Sequence, residues 1–257
     1  MNLRKLSLAF LICLLTVCPA QTEGNNALTQ VSTIDAILNG LYDGIIAYGD
    51  LKDYGDFGIG TFHGLDGEMV ALDGEFYQVR ADGVARRVSD EMSTPFASVV
   101  FFESESEIPV QPGTTYSDLR TNLNEKVKAR NIFHAVKIEG NFGYVKTRSV
   151  PGQKRPYPPL VEVTANQPTF EFNDVAGTVV GFYCPDYVGG LNVPGYHLHF
   201  LTKNKTAGGH LLEFTIKDAK LTLDYLSDIH IILPSNDEFN SLDLTKDKKK
   251  ELEKAEK

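Results

Sequence analysis

The sequence predicts an α+β (mixed α/β) chain, β-rich, with two related domains built on mixed and antiparallel sheets. Three observations carry this expectation. Apolar and polar residues alternate over most of the chain, as in half-buried strands, with Asp-Gly pairs between the runs. Helical periodicity is confined to a few segments. A proline-rich stretch divides the chain, and segments on its two sides share a thin similarity, which predicts an internal duplication.

The first 20 residues read "MNLRKLSLAFLICLLTVCPA". Arg4 and Lys5 precede an apolar run over 6–18, Pro19 breaks it, and the small residues Cys18 and Ala20 suit cleavage after Ala20. This is the pattern of a secretory signal peptide, and the run is short for a membrane span. The mature chain is expected to be exported (secreted, periplasmic or envelope-associated), with no stable membrane span after processing. A retained anchor is one alternative. A lipid on Cys18 is another, although "LTVC" lacks the Gly or Ala expected before a lipidated cysteine. Cys13 and Cys18 leave with the leader, so Cys184 stands alone and no intramolecular disulfide is expected. Stability must come from a core, and roughly 235 residues suffice for one large domain or two small ones. Loss of Arg4 and Lys5 takes the net charge from −9 to −11. No basic stripe precedes the C-terminal tail, which argues against a nucleic-acid partner.

The N-terminal β-rich domain is expected over 21–150. "STIDAILNGLYDG" (32–44) opens as a helix: Ser32 or Thr33 caps it, Asp35 sits in the first turn and Gly40 ends it. Asp73-Gly74 and Asp82-Gly83 fold 68–88 into a β-meander. The clearest helix is "TYSDLRTNLNEKVKARN" (115–131), where Leu119, Leu123 and Val127 make one apolar face. Residues 133–150 read as a hairpin turning near Gly140-Asn141. "VPGQKRPYPPLVEVT" carries four prolines, which neither join central strands nor continue helices, so 151–165 reads as an extended linker. A C-terminal β domain follows over 166–240, with strand pairs at 170–185 and 211–226. A charged tail ends the chain over 241–257. Laying 47–72 beside 181–214 matches Gly67-Glu68-Met69 with Gly209-His210-Leu211, making Glu68 the counterpart of His210. Chance similarity of two Gly-rich segments is the competing explanation.

Three of the six histidines fall within "GYHLHFLTKNKTAGGHLLEF" (195–214). Strand residues two apart share a face, so His197 and His199 project together, and a glycine-rich turn returns His210 beside them. Three converging imidazoles suit a divalent ion, most often zinc, with coordination positions left open. Ordinary strand histidines are the alternative. That plain reading is kept for His134 in a core strand, His230 in a late strand and His63 in a loop.

This segment resembles the bacterial α-acetolactate decarboxylases. The resemblance extends to "STIDAILNGLYDG", "GIGTFHGLDGEMVALDGEFYQ", "TPFASVVFFE", "VKTRSVPGQKRPYPPLVEVT" and "GTVVGFYCPDYVGGLNVPG", in the family's order and over nearly the whole mature chain. It implies His197, His199 and His210 as ligands of Zn2+, with Arg148 and Glu68 beside them. It also implies a glutamate from the tail. Ungapped alignment gives Glu256, with Glu251 and Glu253 close enough to compete. Alone, the tail would read as a solvated charged helix. The implied fold has two domains from one duplicated β-rich unit, paired as a homodimer.

The implied reaction converts 2-acetolactate to acetoin and carbon dioxide. Zinc would chelate the ketone and hydroxyl oxygens and stabilise an enediolate, which is then protonated on one face. Arg148 would hold the carboxylate with its planar fork, and Glu68 or Glu256 would supply the proton. Two rivals use the same residues: a zinc hydrolase that activates water, and a non-catalytic metal- or ligand-binding β-module.

Overall fold

The computed structural model describes residues 27–126 and 129–256, so the expected signal peptide lies outside the described residues. Among them the strands are β1 (Ala27–Val31), β2 (Ile46–Ala47), β3 (Phe57–Thr61), β4 (Glu68–Leu72), β5 (Glu75–Val79), β6 (Ala85–Arg87), β7 (Ser93–Thr94), β8 (Ala97–Val100), β9 (Ser106–Ile108), β10 (Phe133–Arg148), β11 (Thr169–Cys184), β12 (Gly195–Thr202), β13 (Gly208–Leu226) and β14 (Asp228–Ile232). The α-helices are α1 (Ile34–Leu38), α2 (Tyr48–Leu51), α3 (Tyr116–Lys126), α4 (Leu160–Thr164), α5 (Asp237–Asn240) and α6 (Lys249–Ala255). The protein is thus β-rich with few and mostly short helices. No helix among the described residues is long and apolar enough to cross a membrane.

The first sheet has seven strands in the order β14-β1-β8-β3-β4-β5-β6. It is mixed, because β1 runs parallel to β14 and antiparallel to β8. The second sheet, β10-β11-β12-β13-β9, is antiparallel, and β10 also pairs with β13, so its four long strands close into a ring. Their different strand numbers, orders and closure do not establish the expected duplication. Nor does the sheet boundary follow the expected division of the chain at residue 150. Strands β9 and β10 precede the proline-rich segment yet belong to the second sheet, and β14 follows it yet edges the first. One core joins the sheets: Leu28, Phe57 and Val70 pack with Phe133, Phe182 and Leu226. Each such side chain contributes roughly 1.5–3 kcal/mol on burial.

Local signals explain several elements. The Thr33 hydroxyl accepts from the Ala36 N–H at 3.1 Å and caps α1, and Gly40 follows with φ of +86°. Thr115 and Asp118 bond reciprocally at the start of α3, whose Leu119 and Leu123 enter a second core cluster inside the ring. The expected helix through 131 includes residues 127 and 128, which lie outside the described ones. Strands β4, β5 and β6 form the expected meander, turning at Asp73-Gly74 with φ of +54° and +79°.

Four expectations need correction. Residues 133–148, 170–184 and 211–226 are not hairpins; each run belongs to one long strand, β10, β11 or β13, so the hairpin expected over 133–150 and the strand pairs expected over 170–185 and 211–226 do not form. Their glycines serve close strand approach instead of chain reversal. A Cβ on Gly140 would lie 2.2 Å from the Asp218 carbonyl, and one on Gly177 would lie 2.4 Å from the Phe200 ring. Register shifts between Asn141 and Phe142 and between Phe142 and Tyr144 bend the β10–β13 pair without ending it. The fourth correction concerns the expected extended linker over 151–165, which packs against the rest of the chain and is helical over Leu160–Thr164. Gln153 N–H donates to the Gly64 carbonyl, Tyr42 Oη–H donates to the Pro158 carbonyl, and Leu160 and Val163 are buried on α4.

Candidate active site

The ring places the histidines by register. On β12, His197 and His199 share one face while Leu198 and Phe200 turn into the cluster beneath α3. His199 stands opposite His210 on β13, and His210 stands opposite Arg148 on β10. Arg148, His210 and His199 therefore form a row across three strands. Gly209 makes this possible: its φ is +131°, and a Cβ there would lie 2.4 Å from the Arg148 carbonyl.

The three imidazoles converge. Their ring centroids are 5.0–5.3 Å apart, and one ligand atom from each lies within 4.8 Å of the others. His199 Nδ1 is 2.8 Å from the Met69 carbonyl. A carbonyl only accepts, so Nδ1 carries the proton and Nε2 keeps its lone pair. That Nε2 is buried without a hydrogen bond. Burial, reinforced by the Arg148 charge, pushes the His197 pKa down to about 3. Burial first, then neighbouring cations and imidazoles, hold His199 and His210 well below the ordinary histidine value. All three rings are neutral near pH 7, the state in which imidazole ligates.

Three groups from distant parts of the chain surround them. Glu68, the first residue of β4, brings Oε2 to 3.6 Å from His199 Nε2. Burial pushes its pKa up to about 8; Arg148 opposes the shift and Glu256 adds to it. Glu256 lies at the end of α6, with Oε2 3.7 Å from His210 Nε2, 3.9 Å from His197 Nε2 and 3.8 Å from Arg148 Nη2. Burial raises its pKa too, against the opposing Arg148 charge. Arg148 is buried and donates from Nη1 to the Ala255 carbonyl, while its Nε has no protein partner.

The tail that carries Glu256 is packed, not a solvated helix. Leu252 and Ala255 are buried in a cluster with Ile34, Tyr42, Val150 and Leu160. Glu251 and Glu253 are exposed, and Glu251 pairs with Lys248 at 2.9 Å. A groove of about 1500 Å³, lined in part by Tyr116, Val193 and Tyr196, reaches His210 and Glu256. The structure thus brings all six residues expected from the sequence into one place. The backbone contributions of Met69 and Ala255 had no sequence signal, since any residue supplies a carbonyl.

The chain is similar to known proteins over most of its length. The sequence profile described as "Alpha-acetolactate decarboxylase" matches residues 28–246. A protein of that name from Methanosarcina mazei is 49% identical over 235 residues, covering 91% of this chain and 82% of the relative. The Bacillus subtilis protein of the same name is 40% identical, covering 84% of each. A crystal structure of alpha-acetolactate decarboxylase from Bacillus subtilis strain 168 superposes with a TM-score of 0.87 at 38% identity, over 90% of this chain and 99% of that one. By sequence, by fold and over most of its length, this chain belongs to the alpha-acetolactate decarboxylase family.

Proposed function

We propose that the chain is a metal-dependent acetolactate decarboxylase, with His197, His199 and His210 holding a divalent ion, zinc by preference. The convergent triad carries this reading. Its donors fit such an ion: three neutral imidazoles, one with its tautomer set by Met69 and its Nε2 buried without a hydrogen bond. A bound ion would act as a Lewis acid on the ketone and hydroxyl oxygens of the substrate.

The chain's own residues supply the rest. Arg148 binds the substrate carboxylate through donors not engaged by Ala255, and burial strengthens that contact. Held there, the carboxylate is oriented for cleavage of its bond to carbon. Glu68, whose burial favours the protonated carboxyl, delivers a proton to the carbon that loses carbon dioxide. Delivery from one wall gives one enantiomer of acetoin. Glu256 lies between Arg148 and two histidines and orients the groups around it. Export of the chain and its pairing as a homodimer belong to the same proposal.

Metal analysis coupled to an acetoin assay tests this reading. One equivalent of metal is expected, with turnover lost to a chelator and restored by zinc. Full turnover in metal-free protein would overturn the metal's role. Ester hydrolysis without acetoin release would favour the hydrolase.

A further inference from the structure

Glu68 stands on the first sheet and Arg148 on the second, so their spacing depends on how the sheets are tied. Two hydrogen bonds bracket Glu68. Its chain neighbour Met69 accepts from His199 through the backbone carbonyl. Its cross-strand neighbour Val79 accepts from the Ser149 hydroxyl at 2.7 Å. Ser149 is fully buried and directly follows Arg148. The hydroxyl before Arg148 behaves differently: Thr147 Oγ1 donates to the Gly208 carbonyl, within the second sheet. Ser149 alone of these two flanking hydroxyls crosses to the first sheet. Packing around its acceptor is tight, because a Cβ on Gly67 would lie 2.4 Å from the Val79 carbonyl.

We propose that Ser149 is a positioning residue: its hydrogen bond to the Val79 carbonyl sets the spacing between Arg148 and Glu68 across the two sheets. This rests on the functional reading above. Ser149 does not touch the substrate. It fixes the strand end that bears the carboxylate-binding guanidinium against the strand pair that bears the proton donor. The Arg148 bond to the Ala255 carbonyl does not involve Ser149 and should persist when Ser149 is changed. Substrate binding should therefore survive better than aligned proton delivery.

The test compares Ser149→Ala and Ser149→Thr with the wild-type chain for bound metal, kcat, KM and the enantiomeric ratio of acetoin. For Ser149→Ala, metal content and KM should stay within about twofold while kcat falls about tenfold, the scale of a small misalignment. The acetoin should also lose enantiomeric purity. Ser149→Thr keeps the hydroxyl and should restore both. If Ser149→Ala does not fold, Ser149→Cys carries the test, with similar shape and a weaker donor. A purely structural role would lower stability and the active fraction while leaving the enantiomeric ratio unchanged, and that result would overturn the proposal. So would wild-type kcat and purity in Ser149→Ala. A wild-type chain that releases no acetoin would instead sink the functional reading, and the positioning role with it.

Discussion

The two walls of the site are built in opposite ways. The histidine wall comes from two adjacent strands and fourteen consecutive residues, 197–210, held by the register of one sheet. The opposing wall gathers Glu68 from the first sheet, Arg148 from the end of β10 and Glu256 from the end of α6. The first wall needs only strand geometry to converge. The second needs the sheet-to-sheet packing and the docked tail. Metal retention should therefore depend on the first wall, and turnover on both.

The largest effect should follow from His199→Ala, which removes a proposed metal ligand whose second nitrogen is anchored on Met69. Metal and acetoin release should both disappear. One retained equivalent of metal with full turnover would separate the triad from the site. Next in size is Arg148→Lys. An ammonium lacks the planar fork, so kcat/KM should fall about a hundredfold, from roughly 1.5–3 kcal/mol per charged hydrogen bond, while metal stays bound. Metal loss in this variant would show that the walls are not separable. Unchanged kinetics would remove Arg148 from carboxylate binding.

The tail gives a smaller, graded test. Glu256→Gln should lower kcat about tenfold with little loss of stability, because the amide keeps the shape but not the charge facing Arg148. Truncation before Leu252 removes the same group and also uncovers the cluster that buries Leu252 and Ala255. It should therefore lower the thermal midpoint as well, by several degrees for a loss of about 2 kcal/mol. Equal activity in the truncated chain would mean that the packed helix serves only the fold.

The same contrast decides what the sequence made legible. His-X-His at strand spacing and a third histidine beyond a glycine turn announce the first wall, because period two fixes which side chains share a face. Glu68 and Arg148 carry no such local pattern, and the family resemblance drew attention to them. Leu252 and Ala255 are too sparse an apolar face to predict a buried helix, so only the family resemblance places the tail at the site. In the fold, α3 and the meander at 68–88 were legible from periodicity and Asp-Gly turns. The long strands were not: Gly140 and Gly177 look like turn residues in sequence, but close neighbours across the sheet require them. Sequence punctuation does not distinguish a chain that reverses from one that bends and continues.

The smallest predicted effect on turnover asks what separates a site histidine from an ordinary buried one. His134 is buried on β10 between Tyr183 and Tyr225, and its Nε2 lacks a hydrogen bond, as does that of His199. It has no second imidazole facing it, so its cost should be visible as acid sensitivity with no metal to offset it. Burial pushes its pKa down from 6.5 to about 4, with the Ala129 backbone opposing the shift. Stability present above pH 6.5 is therefore lost as pH falls through about 4, where the unfolded chain holds a proton that the folded chain refuses. At about 1.4 kcal/mol per unit, the loss is at most on the order of 3.5 kcal/mol. Asp224, opposite the next residue Ala135, has the reverse slope. Burial raises its pKa from 3.8 to about 6, the Glu103 backbone N–H opposes this, and Glu105, Glu103 and Asp56 add to it. Its stabilisation is present below pH 3.8 and lost as pH rises through about 6. The two slopes oppose each other across one strand pair. In denaturant titrations at matched metal loading, His134→Phe should make the unfolding midpoint fall less on acidification from pH 6.5 to 4. Asp224→Asn should make it fall more steeply, and His134→Phe should leave turnover at neutral pH unchanged. Parallel curves for wild type and His134→Phe would show that its burial carries no proton cost. The depressed titration of the site histidines could then no longer be attributed chiefly to burial.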